Sequence, residues 1–307
     1  VSLFRNILLW CSENNWLKSN LPRYGFVKKA VKKFMPGESS LEALNAAKNL
    51  QRHHIPTVFT KLGENITSLL EASATTGHYI KLLEDIEKEK IDSEVSVKLT
   101  QIGFDLSVEE TFKNLSKITA KSASLGKMVW IDMERSGYTQ ASIDFYKRIL
   151  AEYPNTGLCI QAYLYRSEKD ITGLIELKGN IRLVKGAYKE SETTAIKLKK
   201  SVDENYYKLA CILLKGVKEK KIRAAFATHD LGLIERISAE ALRTGVTKEQ
   251  YEFQMLYGIR SNDQKLMTEK GIRLRTLISY GESWYAWYLR RLAERPANLW
   301  FVIKNIF

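Results

Sequence analysis

The sequence predicts an α/β protein built as a (β/α)8 barrel of the TIM type, and three observations carry that expectation. After about residue 55, eight short β-rich runs alternate with longer stretches of helical periodicity. Polar residues gather at the C-terminal ends of those runs, which is where such barrels carry their sites. A doubly wound sheet, the alternative, would usually advertise a Gly-rich phosphate turn. Yet no GxGxxG follows the first run and no GxxxxGK[ST] occurs anywhere in the chain. With 307 residues and 45% hydrophobic content, the chain is long enough for one large barrel or two medium domains. The pattern divides it into a helical segment over 1–50 and a barrel over 51–307 that ends in a helix placed across its mouth.

The N-terminal segment mixes bulky apolar and basic side chains. Phe4, Ile7, Leu8, Trp10, Trp16 and Leu17 lie near Arg5 and Lys18; Phe26, Val27, Val31 and Phe34 interleave with Lys28, Lys29, Lys32 and Lys33. That mixture fits a helix lying in a membrane interface. It fits equally a helix packed on the barrel with its lysines in water. The β-rich runs follow at 57–60, 95–99, 128–132, 158–162, 181–185, 223–228, 252–256 and 272–278. Helical periodicity fills the connections, most clearly at 108–121, 139–152 and 192–220. The last helix, around WYAWYLRRLAE at 284–294, is aromatic and apolar but carries Arg290 and Arg291. Two forked donors side by side suit a small carboxylate. A solvated helix edge with Glu294 paired one turn away is the bland reading of the same residues.

A formal charge of +13 calls for an acidic partner or surface. No zinc-finger, RNP-like or basic-zipper pattern is present, so no nucleic acid is expected and an anionic membrane surface is favoured. No run is long and apolar enough to span a bilayer, and no signal peptide is evident at Val1. Cys11, Cys159 and Cys211 form no CxxC pair, and His53, His54, His78 and His229 are scattered, so a reducing compartment and no metal are expected.

At the strand ends stand Lys98, Asp132 with Glu134, Gln161, Arg182 with Lys185, Thr228 with His229 and Asp230, and Gln254. A charge inside a strand implies a partner or a ligand, because burying it unpaired costs several kcal/mol, on the order of 3–5 once one partner is missing. Six such ends converging on one mouth mark a site.

At these positions the sequence resembles the flavin-dependent proline dehydrogenase (proline oxidase) family in its short monofunctional bacterial form. The resemblance rests on VSVKLT at 95–100, IDME at 131–134, IQAY at 160–163 and IRLVKGAY at 181–188. It continues through FATH at 226–229, YEFQMLYG at 251–258 and YLRRLAE at 288–294. It implies a distorted (β/α)8 barrel holding FAD. It implies further that Lys98, Arg290 and Arg291 grip the substrate carboxylate, and that Glu64 pairs with the first arginine as a gate. Arg182 would sit beside the reactive flavin nitrogen, with Asp132 and Gln161 near the ring system. Lys185, Gly186, Ala187 and Tyr188 would line the cofactor, and Thr228 with His229 would hold its phosphate and adenosine side. The implied reaction oxidises L-proline, or a close cyclic amino acid, to Δ1-pyrroline-5-carboxylate and passes electrons to a membrane quinone. The implied location is the cytoplasm, peripherally on the inner face of the cell membrane.

Two positions depart from the family pattern: Trp287 and Leu277 each stand where it has a tyrosine of the substrate pocket. Two other readings compete. One is a Schiff-base lyase or aldolase using Lys98 or Lys185; the other is a catalytically altered, membrane-binding relative.

Overall fold

The computed structural model describes residue 14 and residues 31–63, 66–285 and 287–289. Most of the segment expected to be helical over 1–50 therefore lies outside the described residues. Its last part is helical: α1, Ser40–Gln51, opens with Ser39 and Glu42 in a reciprocal capping box. Val31 and Phe34 are buried while Lys32 and Lys33 are exposed, so here the apolar residues pack inward and only the lysines meet water.

The eight strands close a parallel barrel in sequence order, β1 pairing with β8. They are β1 Thr57–Lys61, β2 Ser93–Lys98, β3 Val129–Asp132 and β4 Thr156–Gln161. β5 Asn180–Val184, β6 Ala224–Ala227, β7 Tyr251–Leu256 and β8 Leu274–Tyr280 complete it. The connecting helices are α2 Leu69–Lys88, α3 Val108–Ser124, α4 Thr139–Glu152 and α5 Ser167–Glu176. α6 Lys199–Lys220, α7 Leu231–Thr244 and α8 Ser261–Glu269 follow. Each expected strand is present within about two residues, the usual play at element ends.

One helix starts later than its periodicity predicts. Residues 192–198 extend the β5–α6 connection instead of joining α6. Their backbone groups are spent on another strand end: Ile196 N–H donates to Tyr163 O at 2.8 Å, Tyr165 N–H to Thr194 O at 3.3 Å, and Ala195 bridges Leu164 antiparallel.

Side chains alternate along each strand. One set, including Phe59, Val95, Val97, Ile131, Leu183, Phe253 and Ile278, forms the apolar layer under the helices. The other set points to the barrel axis and is largely polar. At the N-terminal end of the barrel it forms an ion network. Arg223 reaches Glu94 at 2.5 Å and Glu252 at 2.9 Å, and Arg275 reaches Asp92 at 3.1 Å and Glu252 at 3.5 Å. Burial works against the charge on Glu252, yet the guanidiniums of Arg275 and Arg223 hold its carboxyl well below the usual carboxylate range. Above this floor lies Trp130, whose indole N–H donates to Glu94 at 2.8 Å.

Removing Arg275 leaves two buried carboxylates, Glu94 and Glu252, sharing the Arg223 guanidinium. Arg275→Met is therefore expected to cost about 3–5 kcal/mol of stability in urea denaturation. Arg148→Met, which breaks an exposed pair with Glu109, should cost about 1 kcal/mol or less. Equal losses would mean that the floor behaves as surface charge.

Candidate active site

Arg182 is at the centre of the mouth. β5 carries it inward, level with Cys159 on β4 and Ala225 on β6, and it is only 2% exposed. Its Nη1 donates to Ser96 Oγ at 2.8 Å, to Asp132 Oδ1 at 3.0 Å and to Cys159 Sγ at 3.4 Å. Contacts from β5 to β2 and β3 can form only through the barrel interior. Asp132 also accepts from Ser96 Oγ at 2.6 Å, so one carboxylate holds both the hydroxyl and the guanidinium. Burial pushes the Cys159 thiol up to about 12, which keeps it neutral between its two charged neighbours.

The remaining donors of Arg182 are left over. Nε and Nη2 are buried without a hydrogen-bond partner, as are Gln161 Oε1, Gln254 Oε1 and Ser279 Oγ. All four side chains belong to the inward-facing set of β4, β5, β7 and β8. Gln161 and Gln254 are each anchored through their amide nitrogen, to Glu134 O at 3.1 Å and to Glu252 Oε1 at 2.6 Å. Buried polar groups are nearly always paired, so this cluster of orphans in one place points to a polar ligand.

Lys98 ends β2, in register with Asp132, and is 9% exposed. Among the described residues its ammonium makes no ion pair. Lys185, by contrast, is held by Asp203 at 2.6 Å and Asp230 at 3.2 Å. Gly186 follows with φ +109°, and a Cβ there would lie 2.3 Å from the Tyr163 ring, so only glycine lets this loop settle on that face. Ala187 and Tyr188 are half-buried on the same loop. Glu190, further along, accepts from the Ser136 N–H at 2.8 Å and ties the loop to the connection after β3. Thr228 is buried at the end of β6 with its Oγ1 accepting from Asp230 N–H, and His229 Nε2 accepts from Leu256 N–H at 2.9 Å.

Leu277 faces inward from β8, half-buried, and packs with Trp130, Val58 and Ala225. Trp287 is half-buried on a helical turn beyond β8. Glu64, Arg290 and Arg291 lie outside the described residues. The structure thus brings Lys98, Asp132, Gln161 and Arg182 to one mouth, with Lys185 to Tyr188, Thr228 and His229 along its β5–β6 side. A groove lined by Lys32, Lys33, His53, Gly258, Ser261 and Lys265 shares none of these residues.

Sequence reading missed Ser96, Trp130 and Cys159, and with them Glu94, Arg223, Glu252 and Arg275. A signal was available: Ser96 and Glu94 precede Lys98 by two and four residues, Trp130 precedes Asp132 by two, and Cys159 precedes Gln161 by two. At strand spacing all face the same way.

Comparison with known proteins places these features in a family. A family model described as proline dehydrogenase matches residues 43–304. "Proline dehydrogenase 1" of Bacillus subtilis subsp. natto is 36% identical over 305 residues, covering 99% of each chain. The proline dehydrogenase of Deinococcus radiodurans is 35% identical over 281 residues, 90% of this chain and 89% of that one. Among solved structures, proline utilization A (PutA) from Bdellovibrio bacteriovorus, inactivated by N-propargylglycine, superposes with a TM-score of 0.80 at 27% identity. That match covers 95% of this chain and 36% of the larger protein. With a full-length match to short relatives and a closed parallel barrel carrying the matching motifs at its strand ends, this chain belongs to the proline dehydrogenase family of oxidoreductases.

Proposed function

We propose that the protein oxidises L-proline, or a close cyclic amino acid, to Δ1-pyrroline-5-carboxylate with bound FAD, and that the electrons pass to a membrane quinone. The single observation that carries this reading is the set of orphaned polar atoms at the mouth. Arg182 offers two buried donors, Gln161 and Gln254 an acceptor each, and Ser279 a hydroxyl. Donors and acceptors on facing walls fit a planar ring system with polar groups along its edges, so the residues suit a flavin. Asp132, Gln161 and Arg182 would hold the ring, and Lys185 to Tyr188 with Thr228 and His229 the remainder of the cofactor.

When bound, the flavin supplies the two-electron acceptor. The protein's own residues bind and orient. Asp132 and Ser96 hold Arg182 by one nitrogen, so its other edge stays turned to the ligand. Lys98 brings a nearly buried ammonium to the mouth, where Arg290 and Arg291 would complete a grip on the substrate carboxylate. Fixing that carboxylate aligns the carbon next to the ring nitrogen, from which a hydride leaves; orientation of this kind can contribute several kcal/mol, up to about 7–11 in the best cases. No strong acid is required, because the amine reacts in its neutral form. Leu277 and Trp287, in place of tyrosines, change the shape of the pocket and remove two hydroxyls without touching the grip.

Purified protein is expected to be yellow, to release free FAD on denaturation, and to bleach anaerobically with L-proline. A panel of cyclic amino acids reads out the effect of Leu277 and Trp287. A colourless protein that cannot be loaded with flavin overturns the proposal, and bleaching by another member of the panel alone moves the substrate to that compound.

Lys98→Met, Arg290→Met and Arg291→Met should each weaken substrate binding by about 30- to 1000-fold, corresponding to roughly 2–4 kcal/mol, and leave flavin affinity nearly unchanged. Their effects should be non-additive, since all three act on one carboxylate. Unchanged Michaelis constants would return them to surface charge.

A quinone acceptor requires contact with a membrane, and the charge of +13 supplies an attraction to an anionic one. Binding to vesicles containing anionic lipid should fall as salt rises, because exposed charges are screened over about 8–10 Å near physiological ionic strength. Equal binding to neutral vesicles would argue against this attachment.

A further inference from the structure

Trp130 lies on the barrel axis between the paired floor and the unpaired mouth, and it is fully buried. Four features hold its indole in one orientation. Gly157, its register partner on β4, makes the space: a Cβ there would stand 2.5 Å from two indole carbons. The indole N–H donates to Glu94, itself locked by Arg223. Val58, Ala225 and Leu277 pack against the ring. The guanidinium carbon of Arg182 lies 4.7 Å from the ring centroid, and that of Arg223 lies 5.5 Å from it.

We propose that Trp130 is a positioning residue for Arg182, an aromatic platform that holds the guanidinium so that its unpaired Nε–Nη2 edge is turned toward the cofactor. The inference rests on the flavin reading given above. Nη1 alone is tied by hydrogen bonds, to Ser96, Asp132 and Cys159. A planar group anchored at one corner can still swing about that corner. A ring face within cation–π distance removes the swing, since the guanidinium is attracted to the negative face of the indole. The charge reaches the floor through the same ring, because the indole N–H ends on Glu94. Leu277 touches the same platform, so a change at that position acts on the orientation of Arg182 as well as on pocket volume.

The test weakens the ring face without changing its shape. Mono-, di- and trifluorinated tryptophans are installed at position 130 by amber suppression. FAD affinity of the flavin-free protein is then read by quenching of flavin fluorescence, and the reduction potential of the loaded protein is measured. FAD affinity should fall in graded steps, by about 2- to 30-fold across the series, and the potential should shift in the same order. The melting temperature of the flavin-free protein should stay constant. Trp130→Leu should lower kcat more than it raises KM, with Trp130→Phe recovering part of the loss. A flat series in a protein that binds FAD and oxidises proline overturns the positioning role and leaves Trp130 as core packing. A native protein that takes up no FAD overturns the flavin reading and this inference together.

Discussion

Arg182 carries a permanent charge into the axis of the barrel, and the interior is organised around making that tolerable. A guanidinium with so little access to water needs a carboxylate and further acceptors close by. Asp132 supplies the charge, Ser96 and Cys159 supply acceptors, and Trp130 supplies a face. These come from β2, β3 and β4, so keeping one side chain satisfied ties three neighbouring strands to β5. The arrangement consumes one corner of the guanidinium and leaves the other edge unmatched. Stability and function divide at that point within a single residue.

The same division runs along the whole axis. Toward the N-terminal end, Glu94, Glu252, Arg223 and Arg275 pair with one another in an ion network that leaves one buried atom, Arg223 Nε, without a partner. Toward the C-terminal end, pairing stops: Gln161, Gln254 and Ser279 each keep a buried atom without a partner. Gln254 shows the change of regime directly, with its amide nitrogen on the floor carboxylate and its oxygen free above. An interior that is largely polar, and much more fully paired at one end than at the other, is how a barrel can be both a rigid scaffold and a binding site. The proposed cofactor site lies where the hydrogen-bond inventory is left open.

Much of this was legible in the sequence. The β-rich runs and the helices at 108–121 and 139–152 show period-two and period-3.6 patterns set by local burial, and these survive folding. The mouth residues Lys98, Asp132, Gln161 and Arg182 were legible because a charge or amide that closes an apolar run must meet a partner or a ligand once buried. The late start of α6 was not, since the backbone of residues 192–198 is claimed by the connection after β4, a partner about thirty residues away that periodicity does not register. The floor was missed for a related reason. Alternation shows that Glu94 and Arg223 point inward, but which of eight strands meet across the axis depends on barrel closure, and these two are 129 residues apart. Of the two readings left open for the N-terminal segment, Val31 and Phe34 follow the packed one, with the Phe34 ring tilted against that of Tyr288 at 6.1 Å.

That last contact, together with the hydrogen bond from the Trp284 indole to Glu38 at 2.9 Å, joins the segment before the first strand to the turn after the last. The barrel is thereby clasped at one place where chain enters and leaves. A unit clasped in this way is portable: it can be spliced into a longer polypeptide through two neighbouring linkers without rearranging its strands. The larger PutA chain, of which the match covers 36%, carries a similar barrel within a longer polypeptide. The clasp also means that the entry segment is held by the same short stretch, Trp284 and Tyr288, that precedes the arginine pair in the sequence.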